Sequence, residues 1–127
     1  MSNKLVSQET LALMDTLMTA LLNFSEKVGE GVANTNLSDY NSDDYDDLNA
    51  KWHNRMEKFG YAIDSNPQSE IDAKGCLSIL LEMIEIVKIE WEIAKLVNIK
   101  DVFYDYFSIS HFINKTVLWI KETEVTN

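Results

Sequence analysis

The chain is poor in the residues that punctuate β structure. It holds one proline and four glycines in 127 residues. An all-β sandwich, with tight turns between many short strands, normally requires more. A single cysteine, Cys76, excludes an intramolecular disulfide. It reads as a small buried apolar residue and fits a reducing compartment. Positive charge is also scarce. Lys and Arg total 11 against 21 Asp and Glu, for a net charge of −10. Phosphate binding depends on clustered Lys and Arg, so nucleic acid and anionic membrane surfaces are poor direct partners. Long apolar runs are missing as well. The longest uncharged stretch is 16–25, about half of the ~20 residues that a bilayer span needs. Glu9 and Asp15 interrupt the start of the chain, so no signal peptide is read there and a cytoplasmic location is expected.

What is present is helical periodicity. The length fits one domain, and a chain of this size buries roughly two-thirds of its unfolded surface. Hydrophobic residues make up 46%, enough for a packed core. Leu11, Met14, Met18, Leu21 and Val28 recur at steps of three and four, with Leu17 and Phe24 beside them, which predicts a helix over 8–28. Ser7 is its expected N-cap and Gly29 its expected stop. Residues 29–42 show no period and predict a long loop, a kind of segment that is often functional. Tyr45, Leu48, Trp52, Met56, Phe59 and Ile63 predict a second helix over 43–63, capped by Ser42, with Asp43 and Asp44 in its first turn. Asn66 and Pro67 predict the start of a third helix over 67–97. From Leu77 onward that helix is apolar on most sides, so it is the expected centre of the fold. Glu82, Glu85, Lys88 and Glu92 mark its solvent face. Asn98 is the expected cap of a last segment over 99–122, either one helix or two broken near 108–110. The fold class that follows is all-α, an antiparallel bundle of four to five helices in one domain, 1–127.

Patterns that carry chemistry are mostly missing. Neither His53 nor His111 follows a glutamate by three residues, as a di-iron bundle would need. Both histidines read as surface or helix-end residues. Asp39, Asn41 and Asp43 imitate the start of a calcium loop, but Asp44 replaces its glycine and Ala50 its terminal glutamate. Asp105, Ser108 and His111 lie at steps of three, yet the acid neighbours the serine and not the histidine, which is the wrong order for a triad. There is no Gly-rich phosphate loop. No catalytic residue, metal ligand or cofactor is therefore assigned, and the chain is not expected to be an enzyme.

One segment stands out. Asp39, Asp43, Asp44, Asp46 and Asp47 place five carboxylates in nine residues, with Tyr40 and Tyr45 between them. A solvated loop followed by an anion-tolerant helix start would look like this. So would a surface for a cationic partner, with tyrosine for contact area and carboxylates for steering. A second aromatic group, Phe103, Tyr104, Tyr106 and Phe107, cannot face one core entirely. Phe103 and Phe107 are expected inside, and one of the two tyrosines outside.

In its size, its charge and its Asp39–Asp47 cluster with interleaved tyrosines, the chain resembles the immunity proteins that neutralise nuclease toxins of the contact-dependent growth inhibition and bacteriocin kinds. The resemblance is to a class and carries no signature motif. It implies a protein–protein mechanism in which an acidic inhibitor covers or flanks the cationic site of a nuclease. Two other acidic classes share these features. One is the phage-encoded inhibitor, such as an anti-CRISPR or nucleic-acid mimic; the other is the secretion chaperone.

Overall fold

The computed structural model describes residues 4–125. Four α-helices account for most of them: α1 (Gln8–Ala33), α2 (Ser42–Asp64), α3 (Ala73–Val97) and α4 (Phe103–Ile120). Short 3-10 turns precede α2 and α4, at Leu37–Asp39 and Lys100–Val102, and a π turn at Lys121–Val125 follows α4. The fold is all-α, and the described residues contain no strand, only one isolated bridge between Leu5 and Asp72.

Cross-helix contacts fix the direction of each helix. Trp52 of α2 reaches Glu90 of α3, while Arg55 reaches Glu82. Rising numbers on α2 meet falling numbers on α3, so the two run antiparallel. The same holds for α1 and α4, where Thr10 meets Trp119 and Lys27 meets Asp105. Val6 bonds Ile71, and Gly31 lies against Ile99, so α1 and α3 run parallel. The result is an up-down-up-down bundle.

The third helix is the centre of the core, as its apolar run predicts. Cys76, Leu80, Met83, Ile86 and Ala94 are fully enclosed, and α3 packs against all three other helices. On α1 the buried line is Met14, Leu17, Leu21, Phe24 and Val28. The second helix is an outer one. Of its expected stripe only Phe59 is fully buried, and Tyr45, Leu48, Trp52, Met56 and Ile63 are half-buried. It rests on α3 and has little contact with the rest, so only a narrow strip of its surface is covered.

Several expected boundaries move. Gly29 does not stop α1, because nothing in its conformation breaks the hydrogen-bond ladder, and the helix continues to Ala33. The expected loop 29–42 thereby shrinks to a short connection containing a 3-10 turn. Asn41, not Ser42, caps α2, accepting the Asp44 N–H at 3.0 Å. Asn66 and Pro67 do not start α3. The Asn66 side chain turns back to donate to the Ala62 carbonyl at 2.7 Å, and residues 67–70 form a turn. Asp72 caps α3 instead, accepting the Gly75 N–H at 2.8 Å. Asn98 ends α3 in the left-handed conformation (φ 64°, ψ 46°), where asparagine is tolerated, and does not begin the last segment. That segment is one continuous helix through 108–110. Ser7 caps α1 as expected.

Candidate functional site

The acidic segment is built around the start of α2. Leu37–Asp39 forms a 3-10 turn that carries Asp39 in solvent. Tyr40 then folds onto Tyr45, ring centroids 5.7 Å apart and nearly edge-to-face. Both rings are half-buried against the core. Burial raises the Tyr45 hydroxyl pKa above its ordinary value, and the neighbouring Tyr40 and Asp46 add to the rise. The Asn41 cap fixes the first turn, in which Asp43 and Asp44 face the positive end of the helix dipole.

Helical geometry sorts the remaining carboxylates. At about 100° per residue, Asp43, Asp44, Asp46 and Asp47 fall within an arc of about 160°, opposite the side where Tyr45 and Trp52 meet the core. All four are exposed. One edge of this arc borders a cleft of about 520 Å³ between α2 and α3, lined by Asp44, Asp47, Lys51, Glu92 and Lys95. Lys95 is already held there by Glu92 at 2.9 Å. Thus Asp39, Tyr40, Asp43, Asp44, Tyr45, Asp46 and Asp47 share one end of the molecule, carboxylates outward and tyrosines half inward.

The other edge of the arc borders a feature that sequence reasoning missed. Glu90 lies inside the bundle, 2% exposed. Its Oε2 accepts the Trp52 indole N–H at 3.3 Å. Its Oε1 has no hydrogen-bond partner among the described residues. Burial pushes this carboxyl up to about 7, although the Ser25 hydroxyl and the Trp52 indole draw it back toward the charged form. Ser25 stands close enough to favour that charge without satisfying Oε1. Glu90 lines a half-open cavity of about 140 Å³ between α1, α2 and α3. A signal existed in the sequence. Cys76, Met83, Glu90 and Val97 are seven residues apart, so the glutamate occupies a seam position where an apolar residue belongs.

Other candidates disperse. Asp105 bonds Lys27 at 2.8 Å and His111 is exposed mid-helix, so Asp105, Ser108 and His111 form no relay. His53 is likewise exposed within a helix, not at its end. Tyr106 stacks on Trp91 (4.2 Å, 8°), and Phe103 meets the same indole edge-on. Tyr104 is exposed as expected, but so is Phe107, at 62%. Although it shares a helix face with Phe103, it meets Trp91 only at 5.8 Å between ring centroids, on the solvent side of the cluster. Burial pushes the Cys76 thiol up to about 11, with Glu124 and Asp72 adding to the rise, so it is a poor nucleophile. The described residues contain no group of three or more potential metal ligands and no helix long and apolar enough to cross a membrane.

No protein-family model matches the chain, and neither a curated protein nor a solved structure matches it. The functional reading therefore rests on the site's own chemistry.

Proposed function

We propose that the protein is an inhibitor of the immunity type, which binds a basic nuclease toxin through the acidic start of α2 and keeps nucleic acid from its cationic site. The observation that carries this reading is the concentration of exposed carboxylates at one end of one helix, with two partly packed tyrosines between them. Like charges so close together repel, and although the helix dipole favours Asp43 and Asp44, none of Asp43, Asp44, Asp46 and Asp47 makes an ion pair within the described residues. They are free to steer a cationic surface and to set its register. Tyr40 and Tyr45 offer rigid contact area at the same place.

The nucleic-acid-mimic reading is weaker, because a mimic spaces its charges along its length as phosphates do. The test is a variant with Asp43, Asp44, Asp46 and Asp47 all replaced by asparagine. It should keep the wild-type fold by circular dichroism. Its affinity for the basic partner should fall tenfold or more, about 1.4 kcal/mol or greater, mainly through slower association at low salt. Affinity within twofold of wild type would remove the acidic cluster from the interface.

A further inference from the structure

We propose that the cavity at Glu90 is a receptor for a single alkylammonium or guanidinium group. On the reading above, its natural source is one Lys or Arg side chain of the basic partner, inserted beside the acidic rim.

The chemistry of the walls argues for a cation. Glu90 is all but fully enclosed, and one of its two carboxyl oxygens has no partner among the described residues. A buried acceptor left open in this way is the group that an incoming N–H donor would satisfy. Among the described residues no Lys or Arg lines the cavity, and its neutral donors, the Trp52 indole, the Ser25 hydroxyl and the Asn49 amide, leave Oε1 without a bond. Arg55 is engaged with Glu82, Lys88 with Glu85, Lys95 with Glu92 and Lys27 with Asp105. The rings of Tyr45 and Trp52 stand in the same cavity, and aromatic faces attract cations. Ser25 and Asn49 add side-chain oxygens, while Val28 and Ile93 offer an apolar bed for methylenes.

Size restricts the ligand further. The volume is about 140 Å³, well below the ~300 Å³ or more of a typical small-molecule site. It corresponds to roughly four or five waters at ~30 Å³ each. That is room for a charged head and its last methylenes, and not for a nucleotide or a sugar.

Position links the cavity to the acidic face. Tyr45 lines the cavity, and Asp46 follows it in sequence about 100° further round α2. A basic surface drawn to Asp43–Asp47 would arrive beside the opening. The titration of Glu90 reports on occupancy because the surroundings are simple. Among the described residues, Tyr45 is the only other titratable group lining the cavity; α1 contributes none, and α3 contributes only Glu90 itself.

The experiment uses the full chain and two pairs of probes. The readout is the pH titration of the Glu90 carboxyl carbon by NMR. Saturating n-butylammonium chloride should lower its midpoint, which lies at about 7 in the free protein, by one pH unit or more. Neutral 1-butanol, of similar shape, should leave it in place. Glu90→Gln should abolish n-butylammonium binding, read by the Trp52 indole N–H resonance in NMR, with the fold unchanged. An unmoved midpoint, or an equal response to 1-butanol, overturns the proposal. The second pair is acetyl-Ala-Lys-Ala-amide and its norleucine counterpart. A response to the lysine peptide alone supports a partner side chain as the source. A response to n-butylammonium but to neither peptide restricts the site to free amines and overturns the anchoring role. The asparagine variant of the acidic cluster separates the two ideas. If that variant loses no partner affinity while n-butylammonium still binds at Glu90, the cavity stands and the inhibitor reading falls; the reverse pattern leaves the inhibitor reading and removes the cavity.

Discussion

Glu90 shows how one residue can escape a reading of the sequence and still dominate a site. Among the acids of α3, Glu85 and Glu92 keep to the expected solvent face, Glu82 turns instead to Arg55 of α2 with its side chain only 22% exposed, and Glu90 sits in the seam. The spacing of seven from Met83 and to Val97 was the available clue. Its consequence for stability has a definite sign. In the folded chain the carboxyl keeps its proton up to about pH 7, whereas an exposed glutamate releases it near 4.5. The folded state therefore holds an extra proton between those values, and stability falls as pH rises through that window. At about 1.4 kcal/mol per pH unit, the rise from 4.5 to about 7 amounts to about 3 kcal/mol. Glu90→Gln removes the ionisation. Urea denaturation should find the variant close to wild type at low pH and more stable by up to about 3 kcal/mol above pH 7. A gap between the two proteins that does not change with pH would place Glu90 in a wetter environment than the bundle gives it.

Capping side chains, and not glycines, decide the element boundaries, through contacts that the sequence does not print. Gly29 and Gly31 look equivalent in the chain, and both fall inside α1. A Cβ at Gly29 would meet nothing within 4 Å, whereas one at Gly31 would lie 2.6–2.8 Å from three atoms of the Ile99 side chain. Gly31 is thus the point where α1 approaches the end of α3. The two positions should respond oppositely to alanine. Gly29→Ala should raise stability by up to about 1 kcal/mol through helix propensity alone. Gly31→Ala should lower it, because overpacking costs about 1–3 kcal/mol and outweighs that gain. Thermal melts of the two variants decide this, and a gain at both positions would contradict the close packing of α1 on Ile99. The same logic explains the misplaced start of α3. Asn66 and Pro67 have the composition of a helix start, but the Asn66 amide is already committed to the Ala62 carbonyl at the end of α2. The capping role passes to Asp72, beside the Leu5 and Val6 backbone. Interior periodicity survived all of this, because the stripes of α1 and α3 reflect burial over many residues, while each boundary hangs on one or two hydrogen bonds.

At the scale of the molecule, the all-α bundle was legible because helical spacing runs through most of the chain and nothing interrupts it with strand-like alternation. The centrality of α3 was legible for the same reason: only a helix covered on several sides is apolar on most of its faces. The outer position of α2 was not. Its stripe reads like that of α1, and only its limited contact with the other helices shows that it lies against α3 on the outside. That position leaves the acidic half of α2 facing solvent, within a molecule whose net charge is −10. The seven residues of the candidate site were visible as a cluster, whereas the cavity behind them depends on three helices meeting and could not be seen along the chain.

The central claim is that this acidic end of α2 exists to hold a basic protein. The most direct measurement is a pull-down from the native host with two tagged baits, the wild type and the variant carrying asparagine at positions 43, 44, 46 and 47. Each is washed at low and at high salt, and the eluates are compared by mass spectrometry. Charge-steered binding predicts a basic, nuclease-like protein with the wild type, reduced at high salt and largely lost with the variant. The same proteins on both baits, or no basic protein on either, would contradict the account.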